Sequence, residues 1–344
     1  MGTGTDKSKY RIAIDAMGGD LAPSSEVKGA FEVLGEGIGS RIEIIFVGDE
    51  NKINSAIEGT KHKGGNYSVI HADEFVTMAD LSTSAIKQKK NSSLYKGLEF
   101  HSAGNADAFI SVGNTGAMLS TSTILLGRIK GVSRPTIGSF FPSAADKPVL
   151  VLDVGANIDC KPRFLYEFAV MGSIYYSQIM GIEKPRVGLL NIGEEDSKGT
   201  EAVRETFSML KGSRLNFIGN VEGRDILAGN AEVMVCDGFT GNIILKFAES
   251  VFPFLKSKFK AFAGASLMNK VMLGIARPSM KKVFSDFDYQ KYGGIPILGV
   301  NGVSMVGHGK SSPEAIKNII YKTIEVIGKE VNKRIEEALN QPIS

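Results

Sequence analysis

Val149-Leu-Val-Leu-Asp-Val-Gly-Ala-Asn157 is the stretch that decides the fold. The strand expected over 148–154 is apolar almost throughout and lacks the polar alternation of a half-exposed strand. Both of its faces are therefore expected to be buried, as in a parallel sheet covered by helices. A glycine follows directly, and then a helical pattern. The same unit recurs on both sides. Strands are expected at Arg11–Ala16, Arg41–Val47, Tyr67–His71 and Ala108–Val112 before it, and at Arg186–Ile192, Leu215–Ile218 and Ala231–Cys236 after it. Strand-helix alternation of this kind predicts an α/β protein with a mostly parallel sheet.

Two regions break the rhythm. Phe239–Phe284 is helical in pattern with no strand inside it. Leu255, Phe259 and Phe262 share one face, as do Leu267, Val271 and Ile275, and Gly264 lies between the two sets. That spacing predicts a helical hairpin over about 243–285, with its tip near Gly264–Met268. Between Ser250 and Ser285 the chain carries Lys256, Lys258, Lys260, Lys270, Arg277, Lys281 and Lys282 and no acidic residue. An apolar tip ringed by cations suits an anionic bilayer surface, with Leu267 and Met268 as the contact; the alternative is packing in a core or dimer interface. The second region, about 312–339, reads as one long C-terminal helix with Ser312 as cap and Pro313 at its first position. Residues 1–9 read as a disordered tail, and 10–339 as a single α/β catalytic unit.

Composition excludes several classes. Hydrophobic residues make up 43% and charged residues 22%, which is globular rather than disordered. A net charge of +3 is too balanced for a dedicated nucleic-acid binder, so no nucleic-acid partner is expected. Two cysteines, Cys160 and Cys236, cannot build a disulfide framework or a four-cysteine zinc site, and read as buried free thiols in a reducing compartment. No apolar run reaches the roughly 18 residues of a membrane span, and the N-terminus lacks a signal-peptide core, so a cytoplasmic protein is expected.

Glycine is abundant, at 40 of 344 residues. It clusters just after expected strands, in Asp15–Asp20, Val112–Gly116, Asp153–Asn157, Asn191–Thr200 and Asp237–Asn242. Beyond the carboxyl ends of parallel strands, glycine lets backbone N–H groups approach an anion, and a helix N-terminus adds partial positive charge. The plainer reading is tight turns. Gly307-His-Gly-Lys-Ser311 resembles the end of a phosphate loop, but the glycine required five residues before Gly309 is Ser304. There is no G-x-G-x-x-G after a strand, no G-x-S-x-G, no H-E-x-x-H and no C-x-x-C. What remains is an α/β enzyme with anion-binding loops and no evident covalent nucleophile, metal cage or cofactor, suited to attack by a bound anion on a bound electrophile.

Taken together, these segments resemble the bacterial phosphate acyltransferase family of phospholipid synthesis (acyl-[acyl-carrier-protein]:phosphate acyltransferase). The resemblance starts at Ile12-Ala-Ile-Asp-Ala-Met-Gly-Gly-Asp20. It runs in order through His71–Glu74, Lys89–Ser93, Ser111–Ala117, Gly127–Gly131, Leu152–Asn157, Gly188–Gly193, Phe217–Glu222, Asp237–Asn242 and Tyr292–Gly294. Family members usually carry proline near Ser82–Ser84 with a basic residue close by, here Lys87. They more often lack a lysine after the glycine-histidine segment, so Lys310 is unplaced.

The resemblance implies a three-layer α/β/α fold with a large mostly parallel sheet, like that of phosphate acetyltransferase and the isocitrate/isopropylmalate dehydrogenases. It implies a reaction in which inorganic phosphate attacks the thioester of a long-chain acyl group on acyl carrier protein. The acyl phosphate formed would pass to a membrane glycerol-3-phosphate acyltransferase. It further implies a homodimer, peripheral to the inner face of the cell membrane. The family's proposed catalytic lysine falls on Lys198 and its asparagine on Asn242; their plainer readings are a solvated loop charge and a helix cap. Asp15, Gly18, Gly19, Asn114, Thr115, Gly116, Asp153 and Asn157 are expected to line the site or order its turns. His308 is a candidate general acid or a structural turn residue. The rival functions are a phosphate acetyl- or butyryltransferase acting on acyl-CoA and a non-catalytic membrane-surface adaptor.

Overall fold

The computed structural model describes residues 9–60, 64–145, 147–284 and 293–340. Most of the expected tail, Ser285 at the expected end of the hairpin and Tyr292 lie outside the described residues. The strands are β1 (Tyr10–Asp15), β2 (Ile42–Gly48), β3 (Asn66–His71), β4 (Ala108–Ser111), β5 (Gly138–Phe141), β6 (Val149–Leu152), β7 (Arg186–Leu190), β8 (Asn216–Val221), β9 (Val233–Val235), β10 (Ile295–Pro296) and β11 (Val303–Val306). The α/β architecture with mostly parallel strands is as expected. The strands divide, however, between a six-stranded sheet in the order β10-β11-β4-β1-β2-β3 and a five-stranded sheet in the order β5-β6-β9-β7-β8. In each, only one edge strand is antiparallel: β10 against β11, and β5 against β6. Periodicity locates strands but not their hydrogen-bonding partners, and the short strands β5, β10 and β11 carry too few residues to show a period.

The chain forms two compact units. The first takes in the described parts of Met1–Ile137, Tyr166–Lys184 and Gln290–Ser344 and holds the six-stranded sheet. Its core strands are buried along nearly their whole length, as in Ile12, Ala13, Ile14, Phe109 and Ile110. Helices Ser24–Leu34 and Pro313–Gly328 pack closely because Gly29 has no side chain: a Cβ there would lie 2.4 Å from the Pro313 carbonyl oxygen. Ser312 caps the second of these helices, its Oγ accepting from the Ala315 N–H at 3.2 Å. The run expected as one C-terminal helix is two, Pro313–Gly328 and Val331–Leu339. Gly328 ends the first and Glu330 turns at φ 50°, so the apolar stripe continues on a redirected axis.

The second unit takes in the described parts of Gly138–Leu165 and Pro185–Tyr289 and holds the five-stranded sheet. The helical hairpin is present, as helices Gly238–Ala265 and Leu267–Phe284. Ser266 between them is extended (φ −160°, ψ 158°). Its hydroxyl accepts from the Asn269 N–H, and the Asn269 amide returns to the Phe262 carbonyl at 3.1 Å, which fixes the turn. Cys160 and Cys236 are buried free thiols.

Candidate active site

In the first unit the strand order reverses between β1 and β4, the place where open α/β sheets bind ligands. The loops after these strands touch through glycine: a Cβ on Gly18 would sit 2.4 Å from Asp15 Oδ2 and 3.1 Å from the Gly113 Cα. Asp15 is 2% exposed. It accepts from the Met17 N–H (3.2 Å) and the Ser111 hydroxyl (2.8 Å), and Ser111 Oγ accepts in turn from the Gly113 N–H (3.1 Å). Burial raises its carboxyl above the ordinary range, opposed by those hydrogen bonds. Asn114 caps helix Thr115–Leu125, its Oδ1 accepting from the Ala117 N–H (3.0 Å). Its amide donates to the Thr77 and Asp80 carbonyls (3.1 and 3.0 Å). The Thr115 and Gly116 N–H groups open that helix and find no acceptor among the described residues. Gly309 joins the cluster, its carbonyl accepting from the Asp20 N–H at 2.8 Å. His308 is exposed, and its Nδ1 accepts from the Lys310 N–H at 3.2 Å.

In the second unit β6, β9 and β7 are adjacent and parallel, with Leu152 and Leu189 both in register with Val235. Loops 153–161, 236–242 and 191–200 therefore leave one edge of the sheet side by side. Asp153 is fully buried. Its Oδ1 accepts from the Gly155 and Ala156 N–H groups (2.8 and 2.6 Å), and its Oδ2 from the Asn157 N–H and amide (3.0 and 2.7 Å). Helix Gly238–Ala265 abuts this loop. Gly238 donates to the Asn157 carbonyl at 2.7 Å, and a Cβ on Gly241 would lie 1.8 Å from the Asp153 carbonyl oxygen. Asp237 is the cap of this helix, its Oδ1 accepting from the Thr240 N–H at 2.8 Å. Asn242 lies five residues beyond that cap, exposed, so the helix-cap reading does not apply to it. Its amide makes no hydrogen bond to the described residues.

Lys198 is exposed in the third loop. Its carbonyl accepts from the Asn191 amide (3.1 Å), and its N–H donates to the Glu195 carbonyl (3.1 Å). The Asn220 amide donates to the same Glu195 carbonyl at 3.0 Å. Gly199 turns at φ 90° with Asn191 Oδ1 where a Cβ would stand, a conformation that excludes other residues. The backbone of the loop is thus pinned while the Lys198 ammonium pairs with no group among the described residues. A cation and a neutral amide carried on ordered backbone, without acceptors among the described residues, suit an incoming anion or a developing oxyanion.

The first unit thus brings together Asp15, Gly18, Gly19 and Asn114–Gly116, with His308 near Gly309; the second brings together Asp153, Asn157 and Asn242, with Lys198 on the loop that follows the neighbouring strand. Sequence reasoning missed Ser111, Asn191 and Asn220, which hold the loops. It also missed Glu26, 1% exposed, whose Oε1 would lie 2.4 Å from a Gly19 Cβ and whose carboxyl oxygens have no hydrogen-bond partner among the described residues. Burial, with nearby Asp15 as a lesser cause, pushes Glu26 up to about 8. Its only signal was a lone acid on the apolar face of the first helix. The thiols are unsuited to nucleophilic work: burial pushes Cys160 up to about 12 and Cys236 well above its ordinary value.

The fold is that of the phosphotransacetylases. A phosphotransacetylase from Streptococcus pyogenes superposes with a TM-score of 0.61 at 18% identity, over 94% of each chain. The EutD phosphotransacetylase from Staphylococcus aureus gives 0.59 at 17%, over 94% and 95%. At that identity the likeness is one of fold. The chain belongs to the fatty acid synthesis protein family, whose model matches residues 10–334. Its relatives include proteins named phosphate acyltransferase from Chlorobaculum parvum, 46% identical over 96% of this chain and 98% of theirs, and from Thermodesulfovibrio yellowstonii, 44% identical over 96% and 94%. By that membership the protein is a transferase.

Proposed function

We propose that this protein transfers a long-chain acyl group from the thioester of acyl carrier protein to inorganic phosphate, releasing an acyl phosphate. The observation that carries the reading is the pair of unengaged donors, the Lys198 ammonium and the Asn242 amide, on loops leaving neighbouring parallel strands. A phosphate oxygen attacks the thioester carbonyl carbon, and the carbonyl electrons move onto oxygen. When the tetrahedral intermediate collapses, the C–S bond breaks and the carrier's thiolate leaves with the electron pair. Phosphate is itself the nucleophile, so the protein's task is to hold two partners in line and stabilise the oxyanion. Lys198 neutralises phosphate or the oxyanion, and Asn242 donates to the oxyanion.

The test is thiol release measured with acyl carrier protein and CoA donors side by side, with and without phosphate. Release that needs phosphate and prefers the carrier protein supports the reading. Preference for CoA would make the protein an acetyl- or butyryltransferase, and no release with either donor an adaptor.

The proposal extends to a homodimer working at the membrane face and handing its amphiphilic product to a membrane glycerol-3-phosphate acyltransferase. Among the described residues no helix is long and apolar enough to cross a membrane. At the hairpin turn Leu267 is 78% and Met268 69% exposed. Lys258, Lys260 and Lys270 flank that turn, each adding about 1 kcal/mol near an anionic surface. Binding to anionic vesicles that weakens with salt is expected, and Leu267→Glu with Met268→Glu should abolish it while soluble acyl transfer continues. Dissociation into monomers by that variant would assign the turn to the dimer instead.

A further inference from the structure

Each of the three loops at the edge of the second sheet carries one large apolar side chain open to solvent: Ile158 (71% exposed), Ile192 (82%) and Phe239 (60%). Scattered exposed apolar residues are ordinary. One on every loop around two unengaged polar donors is a concentrated arrangement. Ile158 and Phe239 flank the bond from the Gly238 N–H to the Asn157 carbonyl. Ile192 and Phe239 stand three and four residues beyond the paired Leu189 and Val235. Neighbouring strands are about 4.8 Å apart, so the three loops span about 10 Å. Phe239 and Asn242, three residues apart on one helix, share a face. Ile192 opens the loop that carries Lys198.

These side chains stand on ordered backbone. Asp153 ties residues 155–157, Asp237 caps the helix of Phe239, and Asn191 Oδ1 accepts from the Ile192 N–H at 2.8 Å. We propose that Ile158, Ile192 and Phe239 form the subsite for the first carbons of the acyl chain and so favour alkyl over acetyl donors. The proposal rests on the acyltransferase reading, because it takes the two donors as the place where phosphate and thioester meet. The carbonyl carbon there bears an alkyl group one bond away, and the rim supplies apolar surface on the same three loops that carry the donors. A second protein seated on the rim would cover Lys198 and Asn242, stranding both donors unless it brought acceptors of its own. An alkyl chain ending in an anion covers the rim and brings the acceptors with it.

The test is calorimetric binding of methyl phosphate and octyl phosphate, below its micelle concentration, to the full chain. Each buried methylene is worth about fourfold in affinity. The wild-type protein should therefore bind octyl phosphate at least about tenfold tighter than methyl phosphate. In Ile192→Ser with Phe239→Ser the ratio should fall to about threefold or less, and Ile158→Ser alone should lower it by a smaller factor. Equal affinities in the wild type overturn the proposal. So does an unchanged ratio in a folded variant, including one that sediments as a smaller species, which would make the rim a contact between copies. A chain-length preference that survives in a protein unable to release thiol from any donor would sink the acyltransferase reading and leave the subsite standing.

Discussion

The loops that close the first sheet and those that close the second use the same parts and leave them in different states. Each set hangs from a buried aspartate at the end of a parallel strand, Asp15 in β1 and the residue after β6, Asp153. Each uses glycine to bring loop backbones into contact. In the first set the asparagine is consumed: Asn114 caps one helix and ties down the 77–80 turn. In the second, Asp237 does the capping, and Asn242 one turn later is left open, as is Lys198. The first set also buries a second, unpartnered acid, Glu26, for which the second has no counterpart among its described loops. Polar groups already satisfied within the fold contribute stability; groups held in place without partners are available for chemistry.

The largest effect should come from the open donors. Lys198→Ala is expected to lower turnover about 10²- to 10³-fold, the scale of losing one oxyanion donor. Its thermal midpoint should stay put, because its side chain pairs with none of the described residues. Asn242→Asp should behave alike, since it sets a negative charge beside an anionic substrate and removes no cap. Steady-state kinetics with thermal unfolding on the same samples decides this. A fall in stability at full turnover per folded molecule would erase the contrast between the two sets.

Next comes Glu26. Its folded value of about 8 lies above the unfolded value of 4.5, so folding takes up a proton. The stability this group contributes is fully present below about 4.5 and is lost as pH rises through about 8, at roughly 1.4 kcal/mol per unit and about 5 kcal/mol in all. Glu26→Gln should remove that slope. Denaturant unfolding of both proteins between pH 5 and 9 measures it, and parallel pH profiles would mean that Glu26 ionises freely beneath Gly19.

Much of this was legible in the chain. The continuous apolar run before Asp153 announced buried parallel strands, and the glycines after each strand located both sets of loops. The hairpin was readable because Gly264 separates two apolar faces whose basic surroundings hold no acid. The pairing of strands into two sheets was not readable, since β1 and β6 have the same pattern and nothing local says which neighbour each will take. Nor was the division of labour between Asn114 and Asn242. Both follow a glycine-rich turn near a helix start; only the fold shows that one lies at the cap and the other a turn beyond it. Glu26 escaped because a lone acid among apolar residues looks like a solvated one until its surroundings close over it.

Asn114 gives a smaller, opposite test. Asn114→Ala removes a cap and two tethers to carbonyls 77 and 80, which should cost about 1–3 kcal/mol of stability. Turnover per folded molecule should fall less than tenfold, a bound taken well below the loss of a donor. A loss matching that of Asn242→Asp, at unchanged stability, would move Asn114 into the reacting group and make the two sets equivalent.

The smallest effect is expected at His308, where the choice lies between a turn residue and a general acid. Its Nδ1 accepts the Lys310 N–H, so the neutral ring carries its proton on Nε2, and its backbone carbonyl accepts from the Ser311 N–H and hydroxyl (2.9 and 2.6 Å). The carbonyl bonds survive substitution and the side chain is exposed, so His308→Ala should cost no more than about 1 kcal/mol of stability. The leaving group is a thiolate, which departs without a proton, so general acid catalysis has little to supply. Turnover should stay within about fivefold of wild type, far short of the 10²-fold or more that a general acid contributes. The pH–rate profile should keep its shape. A 10²-fold loss with one limb of that profile gone, which disappears when the thioester donor is replaced by one with a more acidic thiol, would make His308 the proton donor and give the first set of loops a chemical role equal to that of the second.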